Sequence, residues 1–204
     1  KLEIISVSPR EDERDVLISK NKQVFKDLNH NSTIGTGSLR RNEQIKLIRD
    51  DLEYVPIRGN IDTRINKVLN NELDGIIIAA AGVIRLSLSK YISNFFKVDE
   101  IVPPPLQGFI AVEARADFNS KNIFQGLCNP IDKIVAQYEY NALTQLNGSC
   151  DLPFGFNLKY INNGFDCNYF LKTSDNIISG SEYFKEGDIE KNFQNIISKL
   201  KNHI

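Results

Sequence analysis

Arginine is the residue type in this chain whose placement calls for a chemical reason. Of nine Arg in 204 residues, six fall between Asn31 and Leu86 (Arg40, Arg41, Arg49, Arg58, Arg64 and Arg85), a stretch with only two Lys. Beyond Arg115 the balance reverses, to eight Lys and no Arg. A chain that serves its general surface with Lys has kept Arg in one region. The planar guanidinium fork grips a carboxylate or phosphate at two points and keeps its charge when buried. The pattern points to a ligand bearing several anionic oxygens.

Two short stretches offer that ligand a place. Ile34–Arg41 (IGTGSLRR) sets glycines between a strand pattern and a helix start, where free N–H groups and the helix dipole favour an anion. The Thr36 and Ser38 hydroxyls and the side chains of Arg40 and Arg41 add donors. Arg58–Arg64 (RGNIDTR) repeats the arrangement: Arg58 ends a strand, Gly59 lets backbone approach closely, and Arg64 lies in the first helical turn. An Arg at a helix N-terminus is electrostatically unfavourable, and it happens twice; a bound anion removes the conflict. The competing reading is a pair of ordinary βα turns with a Ser cap and solvated arginines. Arg85, after Ala80-Ala81-Gly82, either adds a fork or makes a surface salt bridge. Cys150 lies in a Gly/Ser loop (LNGSCDLP, Leu146–Pro153), where a thiol can be a nucleophile, an attachment point or inert. Cys128 and Cys167 read as small apolar fillers.

Composition narrows the classes. With 41% hydrophobic and 25% charged residues the chain is an ordinary globular one, long enough for one or two domains. A net charge of −1 gives no general attraction to nucleic acid or to an anionic membrane. No apolar run reaches membrane-span length, and the opening KLEIISVSPRED lacks a signal-peptide layout. Three Cys without a CxxC pair and two scattered His argue against a disulfide framework and against a metal centre. The chain has no Met and opens on Lys1, which reads as a fragment or a processed chain.

The elements that must position these residues follow from periodicity. Leu2–Val7 and Val16–Ser19 read as strands, and Asn21–Asn31 as a short helix plus loop. A βαβαβ rhythm follows: strand Ser32–Thr36, helix Leu39–Arg49 capped by Ser38, strand Glu53–Ile57, helix Thr63–Asn70 capped by Asn60 or Asp62, and the nearly all-apolar strand Asp74–Ala80. A strand of that kind is covered on both faces, as in a parallel sheet. Tyr91–Phe96 reads as a short helix, Pro103-Pro104-Pro105 as a hinge or crossover, Phe109–Glu113 as a strand and Val135–Leu146 as a helix. Phe154–Tyr160, Asn168–Thr173 and Asn176–Ser181 read as three antiparallel strands, and Asp188–Lys201 as an amphipathic helix. The fold class is therefore α/β with a small C-terminal α+β unit.

Ile34–Arg41, Gln44, Asp51-Leu52, Arg58–Arg64, Asp74–Leu86 (DGIIIAAAGVIRL), Gln107-Gly108, Glu113–Arg115, Leu146–Gly155 and the Arg10–Leu17 segment occur in one order and spacing. Together they closely resemble the porphobilinogen deaminase (hydroxymethylbilane synthase) family. The resemblance implies a transferase that joins four porphobilinogen molecules head to tail, releasing ammonia, to give hydroxymethylbilane for heme. It implies a dipyrromethane cofactor held by a thioether to Cys150. Thr36, Ser38, Arg40, Arg41 and Arg58 would bind the cofactor, and Arg58, Arg64 and Arg85 the substrate, through pyrrole carboxylates. It implies periplasmic-binding-protein-like parallel or mixed sheet domains. Residues 1–9 and 102–128 would be a remnant of domain 1 with hinges, 10–101 domain 2, and 129–204 a cofactor-attachment domain 3 with an antiparallel three-stranded sheet.

Departures from the family pattern are Leu106 in place of the usual glycine before Gln107-Gly108, LNGSC for LEGGC, and Tyr140 where arginine is usual. The family's catalytic aspartate, in an HSLKDVP-like motif, falls before Lys1, so the expectation is that this chain alone does not turn over and works with the missing N-terminal segment. No nucleic acid, membrane or metal partner is expected, and the protein is expected to be a cytoplasmic monomer, or organellar if a presequence was removed. The alternative function is a clamshell module that binds a polycarboxylate without chemistry.

Overall fold

Three sheets carry the chain in a computed structural model that describes residues 1–124, 126–146 and 152–204. The strands are β1 (Leu2–Val7), β2 (Asp15–Ser19), β3 (Thr33–Gly35), β4 (Glu53–Val55), β5 (Gly75–Ala79), β6 (Asn94–Phe95), β7 (Ala111–Arg115), β8 (Phe154–Ile161), β9 (Gly164–Lys172) and β10 (Ile177–Lys185). The helices are α1 (Leu39–Ile48), α2 (Ile61–Leu69), α3 (Ala80–Arg85), α4 (Pro130–Gln145) and α5 (Ile189–Lys201). Among the described residues no helix is long and apolar enough to cross a membrane.

The central sheet has the order β4-β3-β5-β2-β6. β3 runs parallel to β4 and β5, while β2 runs antiparallel to β5 and β6, so the sheet is mixed. Its apolar middle strands are buried on both faces because helices cover both. Successive side chains of a strand alternate between faces. Val16, Ile18, Ile76 and Ile78 accordingly pack with Ile65 and Val68 of α2 and Val83 of α3. Leu17 and Ile77 turn the other way, joining Ile34, Ile45 of α1, Phe25 and Phe96.

Several boundaries differ from those the sequence suggests. Tyr91–Phe96 does not form a helix: a single 3-10 turn at Ser89–Tyr91 leads into edge strand β6, which pairs with Val16 and Leu17. Tertiary partners override the local pattern. Ser93 Oγ takes the Ser19 N–H at 3.0 Å, the Phe96 N–H reaches Asp15 O at 3.0 Å, and the Phe96 ring packs edge-on against Phe25 at 5.0 Å. Residues 20–27 resolve into two 3-10 turns, Lys20–Lys22 and Phe25–Asp27. β7 lies two residues later than expected because its register is set by β1, with Leu2 opposite Arg115 and Val7 opposite Ala111. α4 begins at Pro130, with Asn129 Oδ1 accepting the Asp132 N–H at 2.8 Å and proline at the first helical position, where no N–H is needed.

The C-terminal part is an antiparallel meander, β10-β9-β8, as its alternation and turn residues indicate. Asn162 and Asn163 both take positive φ in the first turn, a conformation asparagine tolerates. Phe156, Leu158, Phe165 and Leu171 face Val135 and Ala142 of α4 and Phe193, Ile197 and Leu200 of α5. The molecule is thus an α/β protein with a C-terminal α+β unit.

The proline crossover ties these parts together. The Val102 N–H donates to Gln44 Oε1 at 2.8 Å, and Val102 O accepts Arg40 Nη1 at 2.6 Å and Gln44 Nε2 at 3.0 Å. The Phe156 N–H reaches Pro103 O at 2.9 Å. Leu106 has φ +68° and Gly108 φ +94°; a Cβ on Gly108 would stand 2.3 Å from Glu11 O, so that position has no room for a side chain.

Candidate functional site

The carboxyl ends of parallel strands β3, β4 and β5 share one edge of the sheet, the edge at which open α/β sheets hold ligands. The turns leaving them line an open groove of about 580 Å³ whose walls include Arg41, Gly59, Asp62, Arg64, Ala79 and Leu86. The first turn is built tightly: a Cβ on Gly37 would lie 2.8 Å from Ile57 O, so only glycine lets it pack on the end of β4. Ser38 caps α1, its Oγ accepting the Arg41 N–H at 3.4 Å, and Thr36 Oγ1 accepts the Ser38 N–H at 3.4 Å. At the second turn Gly59 has φ +109°, and Arg64 folds back so that Nε donates to Gly59 O at 2.7 Å. The Arg64 fork then reaches toward Gly37, Nη1 lying 3.8 Å from where a Cβ would sit, and so joins the two turns. Arg58 is exposed on the same turn.

Behind the groove, Asp15 is fully buried and shared by two arginines. Oδ2 meets Arg40 Nη2 at 2.7 Å and Oδ1 meets Arg41 Nη2 at 2.8 Å. Burial disfavours the Asp15 charge, but Arg40 and Arg41 outweigh it and hold the carboxyl below the usual carboxylate range. Burial brings Arg40 down to about 10 against the pull of Asp15, so both partners stay charged at neutral pH. The buried Nε atoms of Arg40 and Arg41 have no acceptor among the described residues. Gln107 completes the junction, accepting from Arg41 Nη2 at 3.1 Å and donating to Asp15 Oδ1 at 2.9 Å.

The structure therefore gathers Thr36, Ser38, Arg41, Arg58 and Arg64 at the two turns. Arg40 points instead into the buried junction, its outer nitrogens on Asp15 and Val102 O. Arg85 turns to the crossover, Nη2 donating to Gly108 O at 2.7 Å, while the next residue, Leu86, lines the groove. Arg49, one of the six clustered arginines, lies at the far end of α1. It forks onto Asp51 at 2.6 and 2.7 Å and caps the carbonyls of Phe25, Lys26 and Leu28, a purely structural clamp. Cys150 lies outside the described residues. A second hollow of about 650 Å³, lined by Glu113, Arg115, Phe118 and Phe124, holds none of these residues.

Sequence reading passed over Asp15 and Gln107 as site-forming residues, and over the pair of Arg10 with Glu139 Oε1 at 2.7 Å. A signal was available for Asp15. An acid heading the apolar run Val16–Ile18 cannot stay buried without cationic partners.

Residues 1–122 match the family model described as "Porphobilinogen deaminase, dipyromethane cofactor binding domain". Among curated relatives, the porphobilinogen deaminase of Clostridium acetobutylicum is 40% identical over 160 residues, covering 78% of this chain and 55% of its own length. That of Clostridium botulinum is 42% identical over 153 residues, covering 75% and 53%. That of Caldicellulosiruptor saccharolyticus is 38% identical over 200 residues, covering 98% of this chain and 68% of the relative. The chain spans about half the length of the first two. A solved lipoprotein from Bacillus subtilis superposes with a TM-score of 0.42 at 14% identity, over 66% of this chain and 65% of its own, too distant a likeness to inform function. With the model spanning more than half of the chain and the relatives agreeing, the chain belongs to the porphobilinogen deaminase family, whose matched domain binds a dipyrromethane cofactor.

Proposed function

We propose that the complete protein condenses four porphobilinogen molecules head to tail, releasing ammonia at each addition, and so makes hydroxymethylbilane for tetrapyrrole synthesis. The observation that carries this reading is the pair of βα turns at one sheet edge, each presenting an arginine to the same groove. Every pyrrole unit brings an acetate and a propionate. A site for such a chain needs several cationic forks in close array, and those forks need a buried counter-charge when the ligand is away. Arg41 and Arg64 on the groove wall, exposed Arg58, and Asp15 behind them meet both needs.

The residues fit a dipyrromethane. Arg41 lines the groove with Nη2 engaged by Asp15 and Gln107, and a carboxylate of the cofactor would take the rest of its fork. When bound, the cofactor supplies the terminal pyrrole position to which further units are added. In this reading Thr36, Ser38, Arg40, Arg41 and Arg58 hold or orient the cofactor carboxylates, Arg58, Arg64 and Arg85 those of porphobilinogen, and Cys150 carries the thioether. Asp15, kept ionised by two guanidiniums, does not serve as the acid for the departing amine. That role is left to another acid of the complete protein. A three-domain division at 9/10, 101/102 and 128/129 belongs to the same proposal.

Intact-mass measurement tests it. The protein carrying its N-terminal segment should show a dipyrromethane adduct that disappears in Cys150→Ser. Bare polypeptide in both would remove the enzyme reading and favour a module that only binds polycarboxylates.

A further inference from the structure

We infer that Gln107 is a positioning residue that fixes the Arg41 guanidinium for anion binding, an inference that deepens the function proposed above and rests on it. The side chain stands where an acceptor is needed on one side and a donor on the other. Its Oε1 takes Arg41 Nη2 at 3.1 Å, while Nε2 gives to Asp15 Oδ1 at 2.9 Å and to Glu13 O at 2.6 Å. A primary amide meets both demands at once. Glutamate would accept from Arg41 but could not donate, and it would set a second carboxylate against Asp15. With Nη2 of Arg41 held between Asp15 and Gln107, the guanidinium is fixed at the groove wall, and the rest of the fork is left to a ligand carboxylate.

Gln107 is itself held in place. Its backbone carbonyl accepts Arg10 Nε at 3.0 Å, and the Leu106 N–H before it donates to Glu139 Oε2 at 2.6 Å. The carbonyl of Gly108 after it accepts Arg85 Nη2 at 2.7 Å. One tripeptide of the crossover thus sets Arg41 through a side chain and Arg85 through the backbone. The position of the crossover is thereby transmitted to the charged wall of the groove.

The test uses the 204-residue chain, a free dipyrromethane bearing acetate and propionate side chains as the probe, and the Gln107→Met and Gln107→Glu variants, with two readouts. The first is the Arg41 Nε–Hε resonance in the ligand-free protein. It should shift or broaden in both variants while the melting temperature of Gln107→Met stays near that of the parent. The second is the dissociation constant, expected to rise roughly tenfold in each variant, the loss of one hydrogen bond to a charged group. In Arg41→Ala the further change Gln107→Met should then cost nothing. An unmoved Arg41 resonance, or losses that add in the double variant, would overturn the inference. If the parent chain fails to bind the dipyrromethane, the assignment of Arg41 to the cofactor falls separately, and the Arg41 resonance alone decides the role of Gln107.

Discussion

Arg10 grips Glu139 with both ends of its fork, Nη1 at 2.7 Å and Nη2 at 3.2 Å, joining the loop before β2 to the middle of α4. Glu139 is fully buried and also takes the Leu106 and Leu158 N–H groups, at 2.6 and 2.8 Å. Burial raises the Glu139 pKa although Arg10 pulls it down, so the carboxylate depends on its cation. Arg10→Met should therefore destabilise the fold by about 3–5 kcal/mol in urea unfolding, the cost of stranding a buried charge. Adding Glu139→Gln should recover part of that loss. A double variant as unstable as the single one would show that packing, not charge, is what Arg10 provides.

Acid should unfold the protein partly through Asp15. Its folded-state pKa lies below the unfolded one, so its contribution is present above about pH 4 and lost as the pH falls through the lowered value. Asp51, held down to about 2 chiefly by its hydrogen bond from Arg49, titrates in the same direction. Asp15→Asn should thus flatten the acid limb of the stability curve without abolishing it. It should also lower stability at neutral pH, where Arg40 and Arg41 would face each other uncompensated. Unfolding curves from pH 3 to 7 would reveal an unchanged slope if Asp15 plays no such part.

Leu106 stands at φ +68°, where a bulky side chain costs about 1–2 kcal/mol. Its side chain is half-buried and belongs to none of the three apolar clusters of the described residues. Leu106→Gly should raise stability by up to about 1 kcal/mol, net of the entropy glycine adds to the unfolded chain. Leu106→Val should lower it. A lower urea midpoint for the glycine variant would mean that the leucine side chain supports the crossover.

Two arginines from the same stretch should behave oppositely. Arg49→Lys removes the fork on Asp51 and caps on three carbonyls, and should cost about 2 kcal/mol with anion binding unchanged. Arg64→Ala, at the groove, should change stability by less than about 0.5 kcal/mol yet weaken porphobilinogen binding, more so at low salt. Calorimetric titration at two ionic strengths separates the cases.

Much of this was legible in the sequence, for physical reasons. A run such as Gly75–Ala79 can only be a strand covered on both sides, and Ser38 before Leu39 can hardly be other than a cap. Alternation with Asn-Asn-Gly and Ser-Asp turns drew the order and turns of the C-terminal meander, although β9 starts four residues earlier and β10 ends four residues later than the expected strands. What stayed hidden depends on partners distant in sequence. β6 forms only because Val16 and Leu17 offer an edge. Arg40, grouped by spacing with Arg41, is turned inward by Asp15, twenty-five positions earlier. The arginine cluster was visible as composition, but its division into groove wall, buried brace and loop clamp required the fold.

Val102 receives more attention from its surroundings than its plain side chain suggests. Its amide is capped by Gln44, its carbonyl is shared by Arg40 and Gln44, and Gly155 sits so close that a Cβ there would come within 2.6 Å of the same oxygen. The proline run therefore sets out from an anchored peptide, and any swing of the crossover must pivot beyond it, at Pro104 or later. Hydrogen exchange should report this as an amide that opens only with the whole molecule, one residue ahead of a run of prolines that has no N–H to exchange.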